Sequence, residues 1–200
     1  MSTPARPQSL ADLEALVAAL KARGIVTEEE LAARQAQTDR AGPEVGARMV
    51  ARAWTDPAYR ALLLSDGAAA AEAMGVSMAG APPLGVLEDT AGRHHVIVCT
   101  LCSCYPRAVL GYPPHWYKSF AYRARVVREP RAVLAEWGTT LPDSVEVRVV
   151  DSTADYRWMV LPQRPAGTEG WSEEQLMALV TRDVLVGVAL PVPPRAAAAE

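Results

Sequence analysis

The three cysteines of the chain, Cys99, Cys102 and Cys104, all fall within six residues, in the segment HHVIVCTLCSCYPRAVLG. An apolar run rich in Val and Ile leads into them, and Pro106 and Gly111 stop regular structure beyond. The pattern therefore predicts three thiols converging at the end of a strand. Three kinds of site suit such a cluster. Free cysteines are among the most buried residue types and pack as small apolar groups. A structural Zn2+ wants four nitrogen or sulfur ligands, and the fourth has to come from His94, His95, His115 or another chain, since no second cysteine pair exists. The third kind follows from the single residue between Cys102 and Cys104. When both sulfurs hold one ion, the backbone nitrogens of Ser103 and Cys104 are brought against it, and an amide nitrogen becomes a ligand only on losing its proton. That favours a trivalent transition metal over Zn2+. Three sulfurs and two amide nitrogens make five donors and leave one octahedral position open, the condition for a catalytic site.

The rest of the chain narrows the setting. Its 200 residues allow burial of about 70% of the unfolded surface without staples. Half are apolar and 22% charged, which fits neither disorder nor a membrane protein. A net charge of −3 gives no basic excess for nucleic acid or an anionic bilayer, so small-molecule or protein partners are expected. MSTPARPQSL lacks the apolar core of a signal peptide, and Val184 to Pro193 is too short and proline-rich to span a membrane. A cytoplasmic protein without a disulfide framework is the expectation.

Apolar spacing divides the chain into three parts. Ser9 with Asp12 reads as a capping box for a helix carrying Leu10, Leu13, Leu16, Val17 and Leu20 on one stripe and ending before Gly24. Thr27 with Glu30 starts a second helix; Val45, Met49, Val50 and Trp54 mark a third; Asp56-Pro57 opens a short fourth. Residues 1–75 thus read as a helical amino-terminal arm, of the kind that buries its stripe against another subunit. After Gly75 come four predicted strands, Leu84 to Leu87, His95 to Cys99, Val145 to Val150 and Trp158 to Leu161. Helices are predicted at Arg131 to Trp137 and, behind a Ser172–Gln175 cap, at Gln175 to Val180. An α+β metal-binding domain is expected over 76–191, followed by a frayed tail over 192–200.

The motif CTLCSC, in the setting VCTLCSCYPRAVLGYPPHWYKSFAYRARVVREPRAVL, resembles the metal-binding segment of nitrile hydratase alpha subunits. GARMVARAWTDPAYRALLLSDGAAAAEAMG upstream, and VLPQRPAGTEGWSEEQL and DVLVGVALP downstream, carry the likeness across about residues 10–190. It implies a layered αββα metal domain behind a helical arm, bound to a separate beta-type subunit and hydrating a nitrile to its amide. Thr100 after the first cysteine resembles the cobalt branch, so Co3+ is implied, with Fe3+ and Zn2+ as alternatives. The resemblance makes Cys99, Cys102 and Cys104 sulfur ligands and the amides of Ser103 and Cys104 nitrogen ligands. It also implies oxidation of Cys102 to a sulfinate and Cys104 to a sulfenate, a modification that metal-bound thiolates in a solvent-reachable site undergo readily. Cys104 and Ser103 are the implied catalytic residues. Cys104 acts as nucleophile through its sulfenate, or water attacks instead, and the Ser103 hydroxyl positions the water or substrate. The cationic partners of the sulfur oxygens are implied to come from the beta-type subunit, as one chain or two split chains, and a metallochaperone is a further implied partner.

Two positions depart from the family's common pattern. Arg107 stands where many members have Trp, and Gly80 where a glutamine is common, so both are expected at the substrate pocket, which becomes roomier and more polar. That suits a large or heteroaromatic, nucleoside-type nitrile. It equally suits an anion, and thiocyanate hydrolase gamma subunits resemble the same family. A noncatalytic zinc-binding subunit is the reading of another class. His94 and His95 read as structural histidines, Trp116, Tyr117, Phe120 and Tyr122 as packing around the loop, and Arg123, Arg125, Arg128 and Arg131 as ion-pair formers diluted by Glu129 and Glu136. Arg157 and Arg164 are expected to face the partner subunit.

Overall fold

In the computed structural model, which describes residues 10–193, the described residues separate into two compact units that divide between Arg40 and Ala41. The first is a pair of helices, α1 (Leu10–Ala22) and α2 (Glu28–Arg40). Thr27 accepts from the Glu30 amide while the Glu30 carboxylate accepts from the Thr27 amide, the reciprocal box expected there. Ser9, expected to cap the first helix, lies outside the described residues. Leu13 and Leu16 of the apolar stripe are exposed.

The second unit begins with α3 (Pro43–Thr55), α4 (Pro57–Ser65) and α5 (Gly67–Ala73). Asp56 caps α4 through Ala58 and Tyr59 N–H groups at 2.9 and 3.0 Å. The four predicted strands form as β1 (Leu84–Glu88), β2 (Arg93–Val98), β3 (Glu146–Asp151) and β4 (Arg157–Leu161). They pair in parallel, β1 with β4 and β2 with β3. Four short helices, α6 (Arg107–Leu110), α7 (His115–Lys118), α8 (Phe120–Val126) and α9 (Pro130–Glu136), make the long crossover that a parallel β2–β3 pair requires. After β4 come α10 (Glu173–Met177), with Ser172 and Gln175 in the expected capping box, and α11 (Arg182–Val186). Helices α4 and α5 lie on β1, α9 on β3, and α11 on β4 and β2, which gives the mixed α+β class with strand pairs between helices.

The boundary expected at residue 75 is not where the chain divides. Met49 and Val50 of α3 and Leu63 of α4 are fully buried in the same core as Val96, Val98 and Met159, so α3–α5 belong with the strands. Their apolar stripes find partners within the chain. The alanine run at 68–71 forms α5, where small side chains let the helix sit on β1: a Cβ on Gly67 would lie 2.6 Å from the Leu84 carbonyl.

Strand direction places the site. A tight turn joins β1 to β2, closed by an antiparallel Thr90–Arg93 bridge, so the two strands run in opposite senses. The carboxyl ends of β2 and β3 therefore share one end of the unit with the amino ends of β1 and β4. At the other end, Gly187 caps α11 with φ of +83°, and a Cβ there would stand 1.9 Å from the His95 carbonyl oxygen. Gly187→Ala is expected to cost at least about 3 kcal/mol, combining left-handed strain with a backbone clash that cannot relax. Chemical denaturation of the variant beside the parent protein measures it.

Candidate metal centre

The apolar run of β2 is buried from His94 to Val98 and ends directly at Cys99. Beyond it the chain turns back, with the Cys102 amide donating to Cys99 Sγ at 3.2 Å. Cys102 Sγ then lies 3.6 Å from Cys99 Sγ and 3.2 Å from Cys104 Sγ, and all three sulfurs lie within 4.8 Å of one another. Cys99 and Cys104 are buried while Cys102 is exposed, so the cluster has a closed floor and one open side. Ser103 sits between the last two sulfurs with its amide and that of Cys104 in the same turn.

The turn is held by residues far away in sequence. Asp151, the last residue of β3, is in register with Val98. Its carboxylate accepts from the Thr100 amide at 3.0 Å and from the Thr100 hydroxyl. Tyr117 of α7 donates to the Cys104 carbonyl at 2.8 Å, and Tyr122 of α8 donates to the Ile97 carbonyl at 2.7 Å. Trp116 packs edge-on against both tyrosines, and Tyr105 against Tyr117, so the expected aromatic packing forms for three of the four residues; Phe120, expected with them, is exposed and meets the Arg123 guanidinium instead. Arg123 reaches the Thr100 carbonyl at 3.4 Å. Asp151 has no signal in the local sequence: it ends an ordinary strand run, and only the β2–β3 register brings it across.

Electrostatics separates the sulfurs. The Cys104 side chain, then nearby backbone amides and Cys99, stabilise the Cys102 thiolate and bring its pKa down to about 7. Burial, with the neighbouring sulfurs, pushes Cys104 up to about 12, against the opposing charge of Arg157. Among the described residues, the buried side-chain atoms with no hydrogen-bond partner are Tyr105 Oη, Arg123 Nε, Arg157 Nη1 and Arg182 Nε. Arg123 contacts the turn, the charge of Arg157 bears on Cys104, and that of Arg182 bears on Tyr105, the residue after Cys104. Unsatisfied guanidinium nitrogens of this chain thus act on the cysteine loop and the residue after it.

The surroundings of the other expected residues are as follows. Arg107 is exposed at the start of α6 and stacks over the Tyr112 ring at 5.3 Å. Gly80 is exposed in the turn before β1, φ +71°, with open space where a side chain would be. His94 and His95 are both engaged by Asp89 at the opposite end of β2, in the structural role expected of them. Arg125 pairs with Glu129 and Glu136, while Arg131 caps the loop carbonyls of Leu141 and Pro142. Arg164 binds Trp54 and Thr168 within the chain.

A parallel-stranded α+β unit with three sulfurs gathered in one Cys-X-X-Cys-X-Cys turn has the donor set of a metal-thiolate site. The family model for the nitrile hydratase alpha chain matches residues 8–189. The low-molecular weight cobalt-containing nitrile hydratase subunit alpha of Rhodococcus rhodochrous is 56% identical over 153 residues, 76% of this chain and 74% of that one. Thiocyanate hydrolase subunit gamma of Thiobacillus thioparus is 51% identical over 163 residues, 76% of this chain and 67% of that one. A solved structure of recombinant thiocyanate hydrolase "comprising partially-modified cobalt centers" superposes with TM-score 0.85 at 44% identity, covering 94% of this chain and 92% of that one. The chain belongs to the nitrile hydratase alpha-chain family.

The thiolate, not the thiol, attacks an alkylating reagent. In metal-free protein near pH 7, iodoacetamide is expected to label Cys102 at least tenfold faster than Cys104, because Cys102 is both exposed and half ionised there. Peptide mass spectrometry against time reads the order. Asp151→Ala is expected to abolish the preference by releasing the turn.

Proposed function

We propose that this chain is the alpha subunit of a cobalt nitrile hydratase, a hydro-lyase that converts a nitrile to its amide once a beta-type partner, one chain or two, is bound. The convergence of three sulfurs within 4.8 Å around the Ser103 and Cys104 amides carries the reading. Cys99, Cys102 and Cys104 would hold the ion through sulfur, and Ser103 and Cys104 through their amide nitrogens. The residues fit such an ion. The donor set is soft and anionic, its floor is buried, and the exposed Cys102 side leaves an approach for substrate. When bound, Co3+ supplies a Lewis acid that makes a nitrile carbon electrophilic.

Everything else is the work of the chain. Asp151, Tyr117 and Tyr122 keep the turn closed on its three sulfurs. Cys102 is proposed as a sulfinate and Cys104 as a sulfenate. The unpaired donors of Arg123 and Arg157 support this, since an anionic sulfur oxygen is the acceptor they lack. The Cys104 sulfenate oxygen then adds to the nitrile carbon itself or takes the proton of an attacking water, and the Ser103 hydroxyl orients the incoming molecule. Cationic groups of the partner complete the polar wall. Metal delivery by a metallochaperone and a cytoplasmic location are part of the same reading. Among the described residues no helix is long and apolar enough to cross a membrane.

Arg107 and Gly80 are proposed at the substrate entrance. An exposed guanidinium stacked on Tyr112 suits a large, polar or heteroaromatic nitrile, of the nucleoside type. It also favours a second reading, thiocyanate hydrolysis, because a fixed cation attracts an anionic substrate.

Elemental analysis and intact mass of the purified complex test the assignment. One cobalt per alpha chain with three added oxygens is expected; stoichiometric zinc with unmodified cysteines would overturn it in favour of a noncatalytic subunit. Assay of the same sample on an aromatic nitrile and on thiocyanate is expected to give amide; carbonyl sulfide instead would select the second reading. Arg107→Trp is expected to raise KM for polar nitriles several-fold while leaving cobalt content unchanged, as measured by steady-state kinetics and metal analysis.

A further inference from the structure

Asp89, His94 and His95 form a buried charged cluster at the end of β2 farthest from the thiols, and the proposed chemistry does not use it. Asp89 Oδ1 accepts from the His95 amide at 2.8 Å and from His95 Nδ1 at 3.0 Å. Its Oδ2 lies 2.9 Å from His94 Nδ1. On the far side of the same ring, His94 Nε2 lies 2.8 Å from the carbonyl oxygen of Gly187, the left-handed cap of α11. A carboxylate and a peptide carbonyl are both acceptors, so both imidazole nitrogens must carry hydrogens for both bonds to exist. Removing one proton points a lone pair at an oxygen in a site where both residues are buried.

We infer that His94 is a proton-operated latch that fastens the cap of α11 to the β1–β2 turn and lets go when its ring becomes neutral. Burial alone would lower the pKa of His94, but the hydrogen bond and charge of Asp89, with the Gly187 carbonyl, outweigh it and raise the value above the ordinary 6.5. Asp89 moves the other way: burial opposes its charge, yet the two histidines hold its pKa below 3.8. The signs follow. The His94 contribution is complete below about pH 6.5 and is lost as pH rises through the higher folded-state value. The Asp89 contribution is lost only in strong acid, as pH falls through its lowered value.

No other charge takes over the role of Asp89. On β1, Glu88 is tied to Arg60 of α4; on β2, Arg93 is tied to Glu146 of β3, as is Arg148; after β4, Arg164 is held by Trp54 and Thr168. His95 spends its Nδ1 hydrogen on Asp89. Arg182 and Asp183 lie at the opposite, amino-terminal end of α11, where their charges act on Tyr105 beside Cys104. Opening the latch therefore loosens a helix whose other end borders the metal loop.

The test needs no ligand and is made on the assembled complex. Nitrogen-15 NMR of the histidine rings is expected to show both His94 nitrogens protonated at pH 6 and the ring titrating above 6.5. A neutral His94 ring at pH 6 would overturn the latch, and this reading requires no variant. Hydrogen exchange, corrected for the intrinsic pH dependence of the amides, is expected to show protection of residues 184–189 falling at least tenfold between pH 6 and pH 9. Strands β2 and β3 should keep theirs, and His94→Gln should remove the pH dependence. An equal fall in His94→Gln, or no fall in the parent protein, would also sink it. Cobalt content and nitrile turnover are not readouts here, so this outcome and that of the functional assignment stand apart.

Discussion

The parallel register between β2 and β3 is the constraint on which the site depends. It sets Asp151 opposite Val98, one residue before Cys99, and so puts a carboxylate where it can grip both the amide and the hydroxyl of Thr100. A one-residue slip would turn the Asp151 side chain to the other face of the pair and release the turn. Two buried tyrosine hydroxyls then hold the chain on either side, at Ile97 and Cys104. This frame holds the three thiols near one another.

Holding three sulfurs this close has electrostatic consequences. In water three thiolates repel; here one is stabilised by its neighbours' hydrogen bonds while another, buried, stays protonated. The unpaired donors of Arg123, Arg157 and Arg182 add positive potential on the protein side of the loop. The lowered Cys102 value marks the sulfur most ready to act as a thiolate, and the guanidinium groups favour negative charge on the sulfurs; both features lie within this chain.

Much of the architecture was legible in advance, for identifiable reasons. All four strands were readable because β-branched runs bounded by turn residues have few other uses, and the helix starts at Thr27, Asp56 and Ser172 were readable because capping is local chemistry. Helix α5 was not, since an alanine run reports propensity without a face. Helix α11 was not either, since a five-residue apolar helix has the same composition as a buried strand. The division at residue 75 was misplaced because an amphipathic stripe shows that a helix buries one face but not against what.

The amino-acid sequence by itself determined the metal-binding turn: which three sulfurs, at what spacing, with which amides between them. That much is covalent, because a Cys-X-X-Cys-X-Cys segment ending a strand has few ways to close. Only the tertiary structure decided what grips that turn and what charge surrounds it. Asp151 is 51 residues from Thr100, Tyr117 reaches back 13 residues to Cys104, and the Asp89–His94–Gly187 chain joins groups up to 93 residues apart. Such contacts depend on strand register and helix packing, and no local pattern of residues encodes them.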